Sequence, residues 1–188
     1  MVDAQTIGVL VTAVSVTVAA IYYIFTLRIN SRTQELALKA QQQNLETRQT
    51  QLLMGIFDMM MKRDIMDAYT NLMNLEWVDY DDWTSKTKTG TAFLDASLIW
   101  RYMECVGFIV KSKLLDAEKY YGINGDTVIK VWDKFSGVIE TQRRLYEMPD
   151  RFSGFEYLAD EMKRIREQRG FKLGYTEAFK RAYNFPPR

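Results

Sequence analysis

The sequence predicts an all-α protein: an N-terminal transmembrane helix continuing into a helical stalk and a cytoplasmic antiparallel helix bundle. Three observations carry that prediction. Residues 7–27, IGVLVTAVSVTVAAIYYIFTL, hold no charge and are closed off by Asp3 and Arg28. Residues 30–50 are rich in Gln, Ala, Leu, Glu and Lys and lack Gly and Pro, a composition that favours helix. Beyond them apolar residues recur at three- and four-residue spacing, and no stretch alternates long enough to read as a strand. The expected organisation is an anchor over 1–28, a stalk over 29–51 and a bundle with a basic C-terminal tail over 52–188.

The first element has the length of a membrane span, since about 20 helical residues match the ~30 Å hydrocarbon core of a bilayer. A backbone in hydrocarbon has no water to bond to, so a single span must be a helix. A cleaved signal peptide is the rival reading. Signals begin with a basic region and carry a shorter apolar run, whereas MVDAQT has an acid and no base. Val18-Ala19-Ala20 mimics a cleavage site, but the run is too long for that reading. No Lys or Arg precedes the span, and Arg28, Arg32 and Lys39 follow it. The positive-inside rule then puts the N-terminus outside the cell membrane and the C-terminal domain in the cytoplasm. Tyr22 and Tyr23 fall where an interfacial aromatic belt sits, and Arg28 can snorkel to headgroups. Gly8, Thr12, Ser15 and Ala19 share one helical face, the pattern that lets a second membrane helix approach closely.

In the stalk, Leu38, Leu45 and Leu52 form a seam at seven-residue spacing that continues through Met59, Met66 and Met73. The partner heptad position is Gln42 and Gln49 before Ile56, or Gln41 and Arg48 on the other choice. Half a seam predicts weak self-association or a stalk lying on a partner. Residues 52–75 read as one amphipathic, methionine-heavy helix, with Met54, Met59, Met60, Met61, Met66 and Met73 expected mainly in the core. Residues 76–90, EWVDYDDWTSKTKTG, read as a loop. Asp79, Asp81 and Asp82 lack the spacing, Gly and terminal Glu of a calcium loop, so they read as solvated, with Asp82 capping a turn.

Residues 91–115 form a helix with Leu94, Leu98, Tyr102, Val106, Ile109 and Val110 expected on its buried face. Glu104 shares a side with Trp100, Gly107 and Phe108 and is a candidate buried carboxylate, which must be paired or protonated. A connector is expected over 116–126, punctuated by Gly122 and Gly125, with Asp126 as the N-cap of the next helix. That helix, over 127–146, turns Val128, Val131, Trp132, Phe135, Val138 and Ile139 inward and ends before Pro149. A further helix over 152–169 has Ser153 as its cap, Phe155, Leu158, Met162 and Ile165 inward, and Gly170 as its stop. A last short helix is expected over 175–183.

Composition narrows the chemistry. The 188 residues carry a net charge of +1, no histidine and one cysteine, Cys105. Without histidine the commonest general base and the commonest zinc, iron and copper ligand are missing. A Cys/His zinc site, a Ser-His or Cys-His nucleophilic pair and an intrachain disulfide are excluded on the same grounds. A di-metal carboxylate bundle needs Glu-x-x-His pairs, which the sequence lacks, and there is no phosphate-cradling Gly-rich loop. No metal, no cofactor and no nucleic acid are therefore expected. The basic, aromatic C-terminal tail, with Lys163, Arg164, Lys180 and Arg181 among Phe171, Tyr175, Phe179 and Tyr183, reads as a solvated face plus tail packing.

A single span with an Arg28-Ile29-Asn30 exit and a Gln/Leu stalk is followed by a recurring pattern in the bundle. The pattern is Glu104, Gly107 and Phe108 before Lys113-Leu114-Leu115, then Trp132, Phe135, Ile139 and Arg143, then Phe155-Glu156-x-Leu158. In this the chain resembles an uncharacterised family of prokaryotic membrane-anchored helical proteins, described only as a domain of unknown function. The resemblance spans nearly the whole chain and implies the same architecture. It implies no activity and no catalytic residues.

The candidate site is a buried ionic set joining Glu104 to Arg101 or Arg143, together with Glu156. Its expected role is structural, fixing helix register, rather than a ligand pocket. The expected function is that of a non-enzymatic single-pass protein, a scaffold or accessory subunit of a membrane-associated assembly. Its partners are then the lipid bilayer and other membrane subunits or copies of itself. The alternative is a membrane-tethered sensor whose bundle binds a ligand or a partner protein.

Overall fold

The structure is a computed structural model that describes residues 3–88, 90–172 and 175. Among these the chain is all-α, with six helices: α1 Ala4–Met60, α2 Arg63–Asn74, α3 Tyr80–Lys88, α4 Ala92–Lys111, α5 Ala117–Leu145 and α6 Ser153–Gln168. The short helix expected over 175–183 and the tail residues Phe179, Lys180, Arg181 and Tyr183 lie outside the described residues, Tyr175 apart. The chain divides into two units, Met1–Arg48 and Gln49–Arg188.

The first unit is a length of α1 with nothing packed around it. Residues 7–25 and 27–48 are all exposed. α1 is long and apolar enough to cross a membrane. Short hydroxyls on this length bond back along the helix: Thr12 donates to the Gly8 carbonyl and Ser15 to that of Val11, each at 2.9 Å. Gly8, Thr12, Ser15 and Ala19 thus form a small, self-satisfied face, and an added methyl at Gly8 meets no other atom within 4 Å.

The second unit is a filled bundle. It begins with the last turns of α1, where Leu53, Ile56 and Met60 pack against the core. A break follows at Met61 and Lys62, with Lys62 extended. One continuous helix over 52–75 is therefore corrected to two. The break turns the chain so that Ile65, Ala68 and Leu72 of α2 reach the same core. Most of the methionines stay outside it: Met73 is buried and Met60 partly so, while Met54, Met59, Met61 and Met66 are exposed. The end of α1 and α2 present only one face each to the core, too narrow a face for six methionines.

Two segments read as irregular are helical, and in each the cap is an aspartate. Asp79 accepts from the Asp82 amide at 2.9 Å while Asp82 accepts from the Val78 amide at 3.0 Å, a reciprocal cap that starts α3 and lets Trp83 be buried. Asp116 accepts from the Lys119 amide at 2.9 Å, so α5 starts ten residues before Asp126 and runs through Gly122 and Gly125. Gly125 is needed there for room: a Cβ would stand 2.3 Å from the Tyr121 ring.

The α4 face is also corrected. Tyr102, Val106 and Val110 are buried and Ile109 partly so, as expected, but Leu94 is 65 % exposed and Leu98 40 %, and Ala96, Ile99, Trp100, Met103 and Gly107 face inward instead. α4 is apolar nearly all round, and small residues at 96 and 107 let neighbouring helices come closer than leucines allow. The inward stripes expected for α5 and α6 are all buried.

Paired contacts set the directions. Trp100 meets Phe152, Gly107 meets Gly154, and Lys111 lies over Tyr157, so α4 and α6 run side by side in the same sense. Asp133–Lys163, Asp126–Arg166 and Glu118–Arg169 run the opposite way, making α5 antiparallel to α6.

Candidate functional site

The closest approach in the bundle is the crossing of α4 and α6. A Cβ built on Gly107 would fall 1.9 Å from the Gly154 carbonyl oxygen, and one on Gly154 would fall 2.9 Å from the Glu104 carbonyl oxygen. Only hydrogen fits at either position. This contact brings the Glu104 side chain to the first turn of α6, where Oε2 accepts from the Phe155 amide at 2.7 Å. The cap position of α6 is Phe152, which has no side-chain acceptor. Glu104 supplies the missing acceptor from another helix, and its negative charge suits the positive end of the α6 dipole. Phe152 itself takes a left-handed conformation, φ 57°, held by its ring against Trp100 at 5.5 Å and by the Arg151 guanidinium at 5.0 Å.

Arg143 organises the turn from α5 into α6. Its Nη1 pairs with Glu156 at 2.9 Å, and its Nε donates to the Arg151 carbonyl at 2.8 Å. Arg151 in turn donates to Gln142 at 3.1 Å. One guanidinium thereby ties the end of α5, the connector and the first turn of α6. Its planar fork fits this work better than an ammonium.

Arg143 and Glu156 are therefore brought together, and Glu104 is not joined to either arginine. Arg101 is exposed on the far side of α4. Glu104 is half-buried and its partner is a backbone amide, so an ion pair with Arg101 or Arg143 is corrected to a cross-helix cap. The sequence singled out Glu104 as a carboxylate on the side of α4 that carries Trp100 and Gly107. Its receiving amide lies 51 residues on, beyond any local pattern. Leu38, Leu45 and Leu52 are exposed along α1.

A second polar centre went unrecognised in the sequence. Lys134 of α5 is buried, with its Nζ donating to the Met73 carbonyl in the last turn of α2. The ammonium lies 5.5 Å from the Trp77 ring and 5.7 Å from that of Phe135. Burial pushes it down to about 8, against the pull of Glu76 in the other direction. Around it Trp77 stacks on Phe135 at 5.1 Å and meets Trp83 edge-on at 5.0 Å, and Trp83 stacks on Trp100 at 5.8 Å. The signal was present: Val131, Lys134, Phe135 and Val138 fall on one stripe, so a basic residue interrupts a buried face. Tyr102 and Tyr120 form a further buried pair. Tyr120 is pushed up to about 12 by burial, against the hydrogen bond from Asn124 at 3.1 Å. Tyr102 is raised by burial and by Tyr120, and donates to the Ile56 carbonyl at 3.3 Å.

Residues 10–162 match the DUF4760 family, described as a domain of unknown function. The chain belongs to that family. The match takes in α2 to α5, most of α1 and the first turns of α6, and so includes every group of the DUF4760 crossing: Glu104, Gly107, Arg143, Gly154 and Glu156. No curated protein and no solved structure matches the chain.

Chemically, the DUF4760 crossing is a clamp. Its carboxylates and guanidinium are engaged by one backbone amide, one carbonyl and each other, with Arg143 Nη2 buried and unpaired among the described residues. Elsewhere a pocket of about 300 Å³ lies between the first turns of α5 and the end of α6, lined by Tyr121, Asn124, Arg166, Arg169 and Phe171. Its two guanidinium groups are engaged by Asp126 and Glu118.

Proposed function

We propose that the chain is a single-pass membrane protein whose helical bundle is a scaffold or accessory subunit of a membrane-associated assembly. The observation that carries this reading is the contrast around α1. Residues 7–27 carry no charge and, among the described residues, all of them but Thr26 are exposed, and a helix apolar all round belongs in a core or a bilayer. The Lys/Arg bias around this segment favours the N-terminus outside the cell membrane and the bundle in the cytoplasm. Within the bundle the polar side chains of the crossing serve packing. An apolar stripe on α4, with Leu94, Leu98 and Phe108, is left at the surface for a partner protein.

The test is the composition of the particle extracted from native membranes in mild detergent. Co-purification with other membrane subunits in fixed ratio is expected. A particle made of this chain alone overturns the assembly and turns attention to the runner-up, a tethered sensor with a ligand at the α5–α6 pocket.

A further inference from the structure

Residues 27–48 of α1 are helical and exposed, and their own side chains do little to hold them. Within this stretch Lys39 pairs with Glu35 at 2.7 Å and Gln42 reaches Glu46 at 3.4 Å. Helices in proteins draw most of their stability from packing of an apolar face rather than from their own side chains, and exposed i,i+4 pairs add little. A stripe is left uncovered on this helix, with Leu38 67 % and Leu45 55 % exposed.

We propose that this stripe is a parallel self-association seam, covered by the same stretch of a second copy of the chain. Three observations favour a second copy over an unrelated partner. Leu38 and Leu45 occupy the same position in consecutive heptads, taken here as d, so in a parallel pair each meets itself. The layer between them is Gln42, an amide that both donates and accepts. Two copies of Gln42 can satisfy each other across the axis, and Glu35, at the same position one heptad earlier, is paired along its own helix with Lys39 at 2.7 Å. Finally, anchoring through residues 7–27 gives every copy one direction and one depth, which sets parallel register without further contacts. Two heptads bury too little to hold a pair free in solution. Confinement to a bilayer supplies the effective concentration. The inference rests on the anchor in the reading above, and not on the wider assembly.

The experiment is disulfide scanning of the full chain reconstituted in lipid vesicles. Exposed Cys105 is first removed as Cys105→Ser. Single cysteines are then placed at Leu38, Leu45, Ala40 and Thr47 and oxidised with copper phenanthroline. Cross-linking at 38 and 45 at least ten times faster than at 40 and 47, the outward positions of the same heptads, is expected. A flat profile, or a maximum at 40 and 47, overturns the seam while the anchor stands. Alkaline carbonate extraction of the same vesicles separates the other failure. Release of the chain from the bilayer overturns the anchor, and the seam with it.

Discussion

The two units of this chain are built from the same element and differ in what surrounds it. In the first, α1 shows apolar side chains on all sides over residues 7–27, and its polar side chains bond along the helix itself. In the second, shorter helices bury Tyr120, Phe135, Phe155, Leu158, Met162 and Ile165 almost completely. Helical geometry alone therefore does not decide stability. The bundle is held by its own core, and the lone helix needs a bilayer or another helix to cover it. All four tryptophans, Trp77, Trp83, Trp100 and Trp132, are buried in the second unit. Tryptophan fluorescence therefore reads the bundle by itself, and it is the natural observable for sharpening the contrast.

The largest effect is expected from Phe155→Ala. Removing a fully buried aromatic ring costs about 3–5 kcal/mol, seen as a lower urea midpoint. Val14→Ala, an equally apolar position in the first unit, should leave that midpoint where it was. Equal effects would erase the contrast between the units.

Next is the pH dependence through Lys134. Its folded value near 8 lies below the ordinary 10.5, so between those values the unfolded chain holds more protons than the folded one. Stability therefore rises with pH from about 8 towards 10. Above 10 the buried Tyr102 and Tyr120, both raised, reverse the trend because the unfolded chain ionises first. Lys134→Met should abolish the rise and keep the later fall. A rise that survives in Lys134→Met would assign it to another group.

A smaller loss is expected at the crossing. Glu104→Ala removes the acceptor from the Phe155 amide and should cost about 1–2 kcal/mol. Glu104→Gln keeps an acceptor and loses only the charge at the helix end, about 0.5–1 kcal/mol. Identical losses in the two variants would contradict a capping role. The smallest effect is a gain. Glu147 sits at φ 53° just past α5, where the Met148 amide donates to the Arg143 carbonyl at 3.0 Å. Glycine suits that left-handed position, so Glu147→Gly should raise stability by about 1 kcal/mol. A loss there would mean that the glutamate side chain contributes more than its backbone strain costs.

How much of this was legible follows from the reach of each signal. The stripes of α5 and α6 were readable because polar residues mark their outer faces. Gly170 was readable as the stop of α6 because its φ of 78° is one that glycine prefers. α4 was not, since apolar side chains line both its faces and the choice between them rests on Ala96 and Gly107. α3 was hidden because Asp79 and Asp82 look alike as loop residues and as a reciprocal cap. Glu104 and Glu156 stood out in the sequence, yet which groups they meet depends on helices packed far along the chain. Their roles came only with the fold.

The loan of a cap from α4 to α6 has a consequence in time. The Phe155 amide has its protein acceptor only while Glu104 is in place, so the first turn of α6 gains its cap only once a residue 51 positions earlier has arrived. Capping of that turn then waits on closure of a long loop rather than on local helix growth. In the folded protein, deuterium uptake at this one amide becomes a clock for the separation of two helices, registering each opening of α4 that the rest of α6 survives.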